Sequence, residues 1–372
     1  MIDTSQQMDY RLSNLNNKHD RIAYQMSTGK KIDQGSENSR VYAREIHIKD
    51  RIRVYEGLKS QIDKTNAENE VSDTAVGNIK TLMDSIKTSV LKSLNSGMTE
   101  EDKIAVASNV QGMRDNILTM ANTKVNGEYV FTGSDTTIKP FTEDKDGKVT
   151  YNGNGVLKEI AVAPNDYRDR GVSGVDIMMY STSEAVKAQT LNFKGDERIY
   201  DQEGLEWKMN AGKTQVEQYN REGKLTGNSL AIASTTGTPP VYTTAPVNTA
   251  GGYSNEFSLK AKHNFFDDMN AIIKALKNND NDTLRKSLDK IDKAYSQTNV
   301  AHAQLGGRNK SFEEAGERME AKLTHYTILN QEVSGANLSK VAMESKALEM
   351  TYSALYSTIS KMSTLSLVNF IR

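Results

Sequence analysis

The sequence predicts an α+β fold, mainly α: long helices from both chain ends pair antiparallel, like a coiled coil, and carry a β-rich insert between them. Punctuation is the first observation. All five prolines (Pro140, Pro164, Pro239, Pro240 and Pro246) fall in one central window. Between Gly147 and Gly252 stand 13 glycines, against six in the first 126 residues. Proline breaks helix interiors and glycine weakens them, so the ends can be helical and the middle cannot. Periodicity is the second. Apolar residues at both ends recur at steps of four and three, the spacing of a narrow seam that needs a partner helix.

The first helix carries Met8, Leu12, Leu15, His19, Ile22 and Met26, and Ser27-Thr28-Gly29 interrupts it. A second stretch has Val41, Ile48, Tyr55 and Ile62 seven apart, and a third has Val76, Ile79, Met83, Ile86 and Val90. Ser96-Gly97 ends that stretch, and Thr99 with Glu101 and Asp102 has the residue types that start a helix. Val106, Val110, Met113, Ile117 and Met120 follow at the same steps. In the C-terminal arm, Leu284, Leu288, Ile291, Tyr295, Thr298, His302 and Leu305 follow a polar break at 278–282. After Gly335 come Val341, Ser345, Leu348, Tyr352, Leu355, Ile359 and Met362. The expected domains are terminal helices over 1–40 and 330–372, a helical stem over 41–139 and 262–329, and a β-rich insert over 140–261.

Within the insert, 148–151 and 156–162 flank Asn152-Gly153-Asn154-Gly155, the pattern of a β-hairpin. Val172–Tyr180 is a further strand candidate. The stretch 234–252, rich in Ser, Thr, Gly and Pro with almost no charge, is expected to be a loop or an edge segment.

Composition suits such a shape. The 372 residues suffice for two or three domains, yet only 37% are hydrophobic and 7% aromatic. The mean hydropathy of -0.63 fits elements that expose much surface per residue. A net charge of -1 gives no field that would attract nucleic acid or an anionic membrane. No stretch approaches the ~20 apolar residues of a membrane span. The segment 1–8 lacks the basic and apolar regions of a cleaved secretory signal. Without cysteine there is no disulfide, thiol nucleophile or thiolate metal site.

No catalytic, cofactor-binding or metal site is expected. The five histidines (His19, His47, His263, His302 and His325) form no metal-binding spacing. Ala211-Gly212-Lys213-Thr214 ends like a phosphate loop, but Trp207 stands where its first glycine belongs. Asp144-Lys145-Asp146-Gly147 fails the calcium-loop pattern at Thr142 and Gly153 and reads better as a hairpin turn. Trp207 with Asp201, Glu203 and Glu206 is the one place in the insert where an inserted enzyme would be sought.

Four stretches together resemble the flagellin superfamily and, within it, the hook-associated protein 3 family. Gln25-Met26-Ser27-Thr28-Gly29-Lys30-Lys31-Ile32 is similar to the break after that family's first helix, although Gly35-Ser36-Glu37-Asn38 replaces the usual Pro-Ser-Asp-Asp. From Gln111-Gly112-Met113-Arg114-Asp115 the chain passes Asn122 to reach Asn126-Gly127-Glu128-Tyr129-Val130-Phe131-Thr132-Gly133 and Pro140-Phe141. That phrase resembles the family's entry from helical stem to outer β domain. Thr298-Asn299-Val300-Ala301-His302-Ala303-Gln304-Leu305-Gly306-Gly307-Arg308-Asn309 and the closing Met362-Ser363-Thr364-Leu365-Ser366-Leu367 look like two further family motifs. The resemblance covers about 1–141 and 262–372.

It implies a structural subunit at the junction of hook and filament, polymerising through its end helices into a ring or helical tier. The expected assembly interfaces are an N-terminal seam (Met8, Leu12, Leu15, Ile22, Met26) and a C-terminal seam (Val341, Leu348, Tyr352, Leu355, Ile359, Met362). The implied partners are copies of itself, neighbouring hook-associated protein and filament subunits, and a cytoplasmic export chaperone on the C-terminal seam. The implied location is the extracellular flagellum, reached through the flagellar secretion apparatus without a cleaved signal. The alternatives are flagellin itself and a secreted coiled-coil effector or adhesin.

Overall fold

The computed structural model describes residues 4–95, 97–235, 239–247 and 257–370, with side chains placed for those lying between 6 and 361. Seven helices and fourteen strands are described, the strands all lying between Lys124 and Asn264. The fold is α+β and mainly α, as the punctuation predicts. Residues 1–59 with 317–372 form one compact unit, and residues 60–316 form another.

In the first unit, α1 (Thr4–Thr28) packs against α7 (Leu338–Phe370). The helix breaks meet each other. Gly29 turns the chain with φ of 67°, and the amide of Lys31 donates to the Ser334 carbonyl at 2.7 Å while that of Ala336 donates to the Gly29 carbonyl at 2.7 Å. Ile32 is buried behind this turn, and Gln25 Nε2 donates to the Lys31 carbonyl at 2.7 Å. Glu37 accepts from the amides of Asp33 and Gln34. Asn38 then caps α2 (Ser39–Ser93) by accepting from the Val41 amide. The local capping role thus survives the departure from the family's acid pair.

The apolar stretches at 41–62 and 76–90 belong to that one 55-residue helix, for nothing between them breaks it. It runs antiparallel to α6 (Asn281–Ser334). In the first unit, the Tyr55 and Tyr326 rings lie 5.4 Å apart and Lys59 reaches Glu320 at 3.9 Å. In the second, Ile62 faces Gly316, Asp73 pairs with His302, Lys80 with Asn299 and Lys87 with Asp292. Partner numbers fall as α2 numbers rise.

The seam along α2 is not apolar throughout. Thr65, Glu68, Asn69 and Ser72 are buried in the second unit. Thr65 and Ser72 return their hydroxyls to the carbonyls of Gln61 and Glu68. The Glu68 carboxylate is paired with the buried Arg170 guanidinium.

The main core of this unit gathers Val76, Ile79, Met83, Ile86 and Val90 of α2 with α3 (Glu100–Ala121), α5 (Phe265–Lys277) and α6. Thr99 caps α3 in a full capping box with Asp102, the helix start expected there. The helix ends at Ala121, so the chain leaves the stem before residue 139. A short pair, β1 (Lys124–Val125) and β2 (Glu128–Tyr129), follows at once. Then β3 (Phe141–Glu143) pairs with β4 (Val149–Tyr151), and β5 (Lys158–Ala163) with β6 (Asp166–Arg170).

Two sequence expectations are corrected here. The stretches 148–151 and 156–162 do not form a hairpin with each other. Each pairs instead across its own tighter turn, one at Asp144–Gly147 and one at Pro164-Asn165, where Asn165 has φ of 62°. The Asp144–Gly147 turn is the hairpin turn its failed calcium pattern suggested: the Asp144 carboxylate accepts from the amides of Asp146 and Lys148. Val172–Tyr180 is not one strand. Ser173 and Asp176 close a capping box, so the apolar run begins as a helical turn, α4 (Gly174–Met178), before β7 (Met179–Ala185).

The remaining strands are β8 (Asn192–Lys194), β9 (Arg198–Asp201), β10 (Glu206–Met209), β11 (Gln215–Tyr219), β12 (Leu225–Ser234), β13 (Val241–Thr244) and β14 (Leu259–Asn264). With β7 they make an eight-stranded antiparallel sheet ordered β7-β14-β9-β10-β11-β12-β13-β8. Its core holds Leu191, Phe193, Ile199, Trp207, Val216, Tyr242 and Leu259. The proline-rich stretch expected to be a loop or edge contributes strand β13, while 236–238 and 248–252 lie outside the described residues.

Candidate assembly surfaces and the joint between stem and sheet

Two places in the molecule carry the family-like motifs, and each is held by identifiable chemistry. The first is the pair of terminal helices. Ile22, Val341 and Leu348 are buried there, with Leu15, Ala336 and Tyr352 packed against them. Met8, Leu12, Leu355 and Ile359 are half-buried. Met26, although in step with the seam, is 52% exposed; the buried position beside it is taken by Gln25. Met362 lies outside the described side chains. Tyr352 donates its hydroxyl to Asn16 Oδ1 at 2.6 Å, and its ring meets the edge of the His19 ring. The two helices flank a cleft of about 820 Å³ floored by Leu15, Ile22, Val341 and Leu348. Lys18, Arg21, Lys31 and Lys340 stand along its rim.

The second is the joint where α3 gives way to strands, all within 60–316. Asn122 ends the helix and fixes the next turn of chain: its Oδ1 accepts from the Phe141 amide at 2.9 Å and its Nδ2 donates to the Phe141 carbonyl at 3.0 Å. Phe141 thereby packs, with tilted rings, against Tyr151 and Phe266 in the core. Tyr151 donates its hydroxyl to the carbonyls of Phe131 and Asn154; burial pushes its ionisation upward. Gly133 has φ of 93°, and a Cβ there would collide with the Asn154 backbone carbonyl. Only glycine satisfies both constraints.

Arg114 clamps the hairpin of β3 and β4 onto α3. Its side chain is 1% exposed, and it donates to Glu143 at 2.7 Å, the Gly147 carbonyl at 2.7 Å and Asp115 at 2.9 Å. Beside β6, Arg308 of α6 donates to the Gly171 carbonyl at 2.8 Å. Arginine with its fork of donors suits such multi-point clamps. The sequence motif flags Arg114, Asn122, Gly133, Phe141 and Arg308 as a pattern; it does not say what each one holds, because most of the partners are distant in the chain.

Further into the unit, Asp268 is fully buried and accepts from Tyr180, His263 and Lys290. Burial alone would lower the pKa of His263, but the hydrogen bond and charge of Asp268, with Asp196, raise it. Burial alone would raise that of Asp268, yet His263 and Lys290 hold it below the usual range. Lys64 and Lys158 draw on Glu128; the hydrogen bond from Lys158 leads in lowering its pKa to about 2.

The places where chemistry was sought have structural occupations. Asp201 accepts from Trp207 Nε1 and Gln218 Nε2 and from the amides of Glu203 and Leu205, which closes the turn before β10. Ala211–Thr214 is the turn between β10 and β11. His302 bonds Asp73 and Lys80. Among the described residues no group of three or more His, Asp or Glu is arranged to hold a metal ion. Nor is any described helix long and apolar enough to cross a membrane.

A sequence profile of the bacterial flagellin N-terminal helical region matches residues 3–136. Flagellar hook-associated protein 3 of Escherichia coli K12 is 26% identical over 139 residues, 37% of this chain and 43% of that protein. The protein of the same name from Salmonella typhimurium is 25% identical over 171 residues, 45% of this chain and 52% of that protein. The chain thus spans about half the length of the curated relatives it matches. Among solved structures, a putative flagellar hook-associated protein from Vibrio parahaemolyticus has a TM-score of 0.53 at 12% identity, over 80% of this chain and 100% of that one. Hook-associated protein 3 of Legionella pneumophila has a TM-score of 0.50 at 18% identity, over 77% and 98%. These two likenesses speak for the fold. Profile, relatives and motifs agree: the chain is similar to the flagellin superfamily and, within it, most like hook-associated protein 3.

Proposed function

We propose that this protein is a structural subunit of the bacterial flagellum that forms the junction between hook and filament. The observation that carries the reading is the pairing of α1 with α7: the two helices meet with, among the described residues, three buried apolar side chains, Ile22, Val341 and Leu348. Helices so thinly supported gain most of their stability from further packing. Copies of the chain supply that packing when they polymerise into a ring or helical tier, and the terminal stretches complete their folding at that moment. Neighbouring hook-associated protein and filament subunits then adjoin the tier at either end. Before export through the flagellar secretion apparatus, a cytoplasmic chaperone covers Val341 to Met362; an apolar cleft with a basic rim suits an amphipathic helix. The protein works outside the cell, in the flagellum, and has no catalytic role.

Gene deletion tests this directly. Cells lacking the protein are expected to lose motility, to keep hooks, and to release filament subunits into the medium. Normal filaments on the deletion strain would refute the junction role. Long filaments grown from the purified protein alone would favour flagellin instead.

A further inference from the structure

Two charge stripes of opposite sign, largely without ion-pair partners among the described residues, run along the long helices. On α2, Arg40, Arg44, His47 and Arg51 recur at steps of 4, 3 and 4, which sets them in one line. All four are exposed, and among the described residues none has an ion-pair partner. Of the two acids adjacent to them in sequence, Glu45 is buried and bound to Lys49, while Asp50, beside Arg51, is exposed. On α6, Glu313, Glu317 and Glu320 recur at steps of 4 and 3, with Glu314 beside them. These are exposed too; among the described residues only Glu320 has an ion-pair partner, Lys59 at 3.9 Å, and Lys310 and Arg318 flank the stripe.

One chain cannot bring the two stripes together. Glu320 lies level with Lys59. Arg40 is nineteen residues further along α2, which at the helical rise is about 28 Å away. The stripes do match between two chains. Because α2 and α6 run antiparallel within a copy, two copies pointing the same way present them antiparallel to each other. Arg40 then meets Glu320, Arg44 meets Glu317 and His47 meets Glu313, the spans being seven residues on both sides. This requires the copies to be displaced by about 28 Å along the helix axis.

We propose that the basic stripe of α2 docks on the acidic stripe of α6 in a second copy of this chain, head to tail. The inference rests on the self-assembly reading above and adds the contact that sets its direction and stagger. Each copy keeps one stripe free for the next neighbour, so the contact repeats instead of closing as a dimer. Exposed ion pairs are individually weak and screened by salt. The stripes therefore select orientation and register, while apolar burial elsewhere supplies the affinity.

The absence of cysteine makes the test clean. The full-length Arg44→Cys/Glu317→Cys variant, purified and concentrated, is oxidised at low salt beside an Arg44→Cys/Asp84→Cys control, whose second site is exposed elsewhere on α2. Both variants change surface residues only, and circular dichroism checks their folding. The expected result is a ladder of disulfide-linked oligomers beyond the dimer, at least ten times the control. It should fall about tenfold in ~1 M salt, where screening is nearly complete, and vanish when Arg40→Glu and Arg51→Glu are added. No ladder above the control, a dimer alone, or a ladder indifferent to salt and to charge reversal would each overturn the proposal. The deletion phenotype reports the junction role separately, so a missing ladder with that phenotype intact strikes the stripes alone.

Discussion

Replacing Leu348 with alanine should loosen the terminal helix pair and leave residues 60–316 untouched. Among the described residues Leu348 is one of three apolar side chains buried between α1 and α7, and it is 8% exposed. Burial of one leucine contributes about 1.5–3 kcal/mol, and truncation in a rigid core costs more because a cavity remains. Here the cavity would open onto the neighbouring cleft and collapse, so about 2 kcal/mol is expected. That raises the opening equilibrium of the pair roughly thirtyfold. Hydrogen exchange followed by mass spectrometry reads it. Peptides from 12–25 and 341–355 should exchange about thirty times faster, and peptides from 76–90 and 284–305 should not change. Equal acceleration in both sets would show that the terminal pair does not open on its own. No acceleration at 341–355 would show that the seam does not hold α7.

Three further outcomes follow from the joint and the buried charges. Gly133→Ala puts a Cβ against the Asn154 backbone at φ of 93°, and should cost about 2–3 kcal/mol in denaturant titration; a cost below 0.5 would deny the tight turn. Arg114→Met removes the clamp on Glu143 and Gly147. We expect about 2 kcal/mol lost, discounted because Glu143 is partly solvated, with faster exchange in 141–151 and unchanged emission from Trp207. His263 has a raised pKa, so its contribution is fully present below the ordinary histidine value of about 6.5 and is lost as pH rises through the folded one. Asp268 is depressed and acts in the opposite sense, losing its contribution as pH falls through its folded pKa. His263→Gln should therefore flatten the decline in thermal midpoint above neutral pH; an unchanged slope would remove His263 from the account.

The helices were legible in the sequence because their buried residues recur on one face, and the breaks because glycine and capping residues act locally. Thr99 and Asp102 announce α3 from four adjacent positions. Long-range matters were not legible. Asn152-Gly153 has the look of a hairpin turn, yet the strands around it find partners at 141–143 and 166–170, a choice made by packing on Phe141 and Tyr151. Val172–Tyr180 has strand composition, but one serine and one aspartate divert its start into a helical turn. Met26 keeps the seam's spacing and still faces solvent, while the neighbouring Gln25 is buried and bonded to the Lys31 carbonyl. Of the joint, the motif marked the residues, and only folding supplied their partners.

The buried polar stretch Thr65–Ser72 has a consequence for how the long helices stay aligned. Two helices with a repeating apolar edge can slide past each other by seven residues, about 10 Å, and still bury apolar against apolar. A slip of α2 would tear the buried Glu68 carboxylate from Arg170, leaving Glu68 only its more exposed partner Lys64 and Arg170 only Glu128, a penalty of a few kcal/mol. The pair works as a detent: it adds little to the depth of the folded state, yet it denies the helices every neighbouring notch.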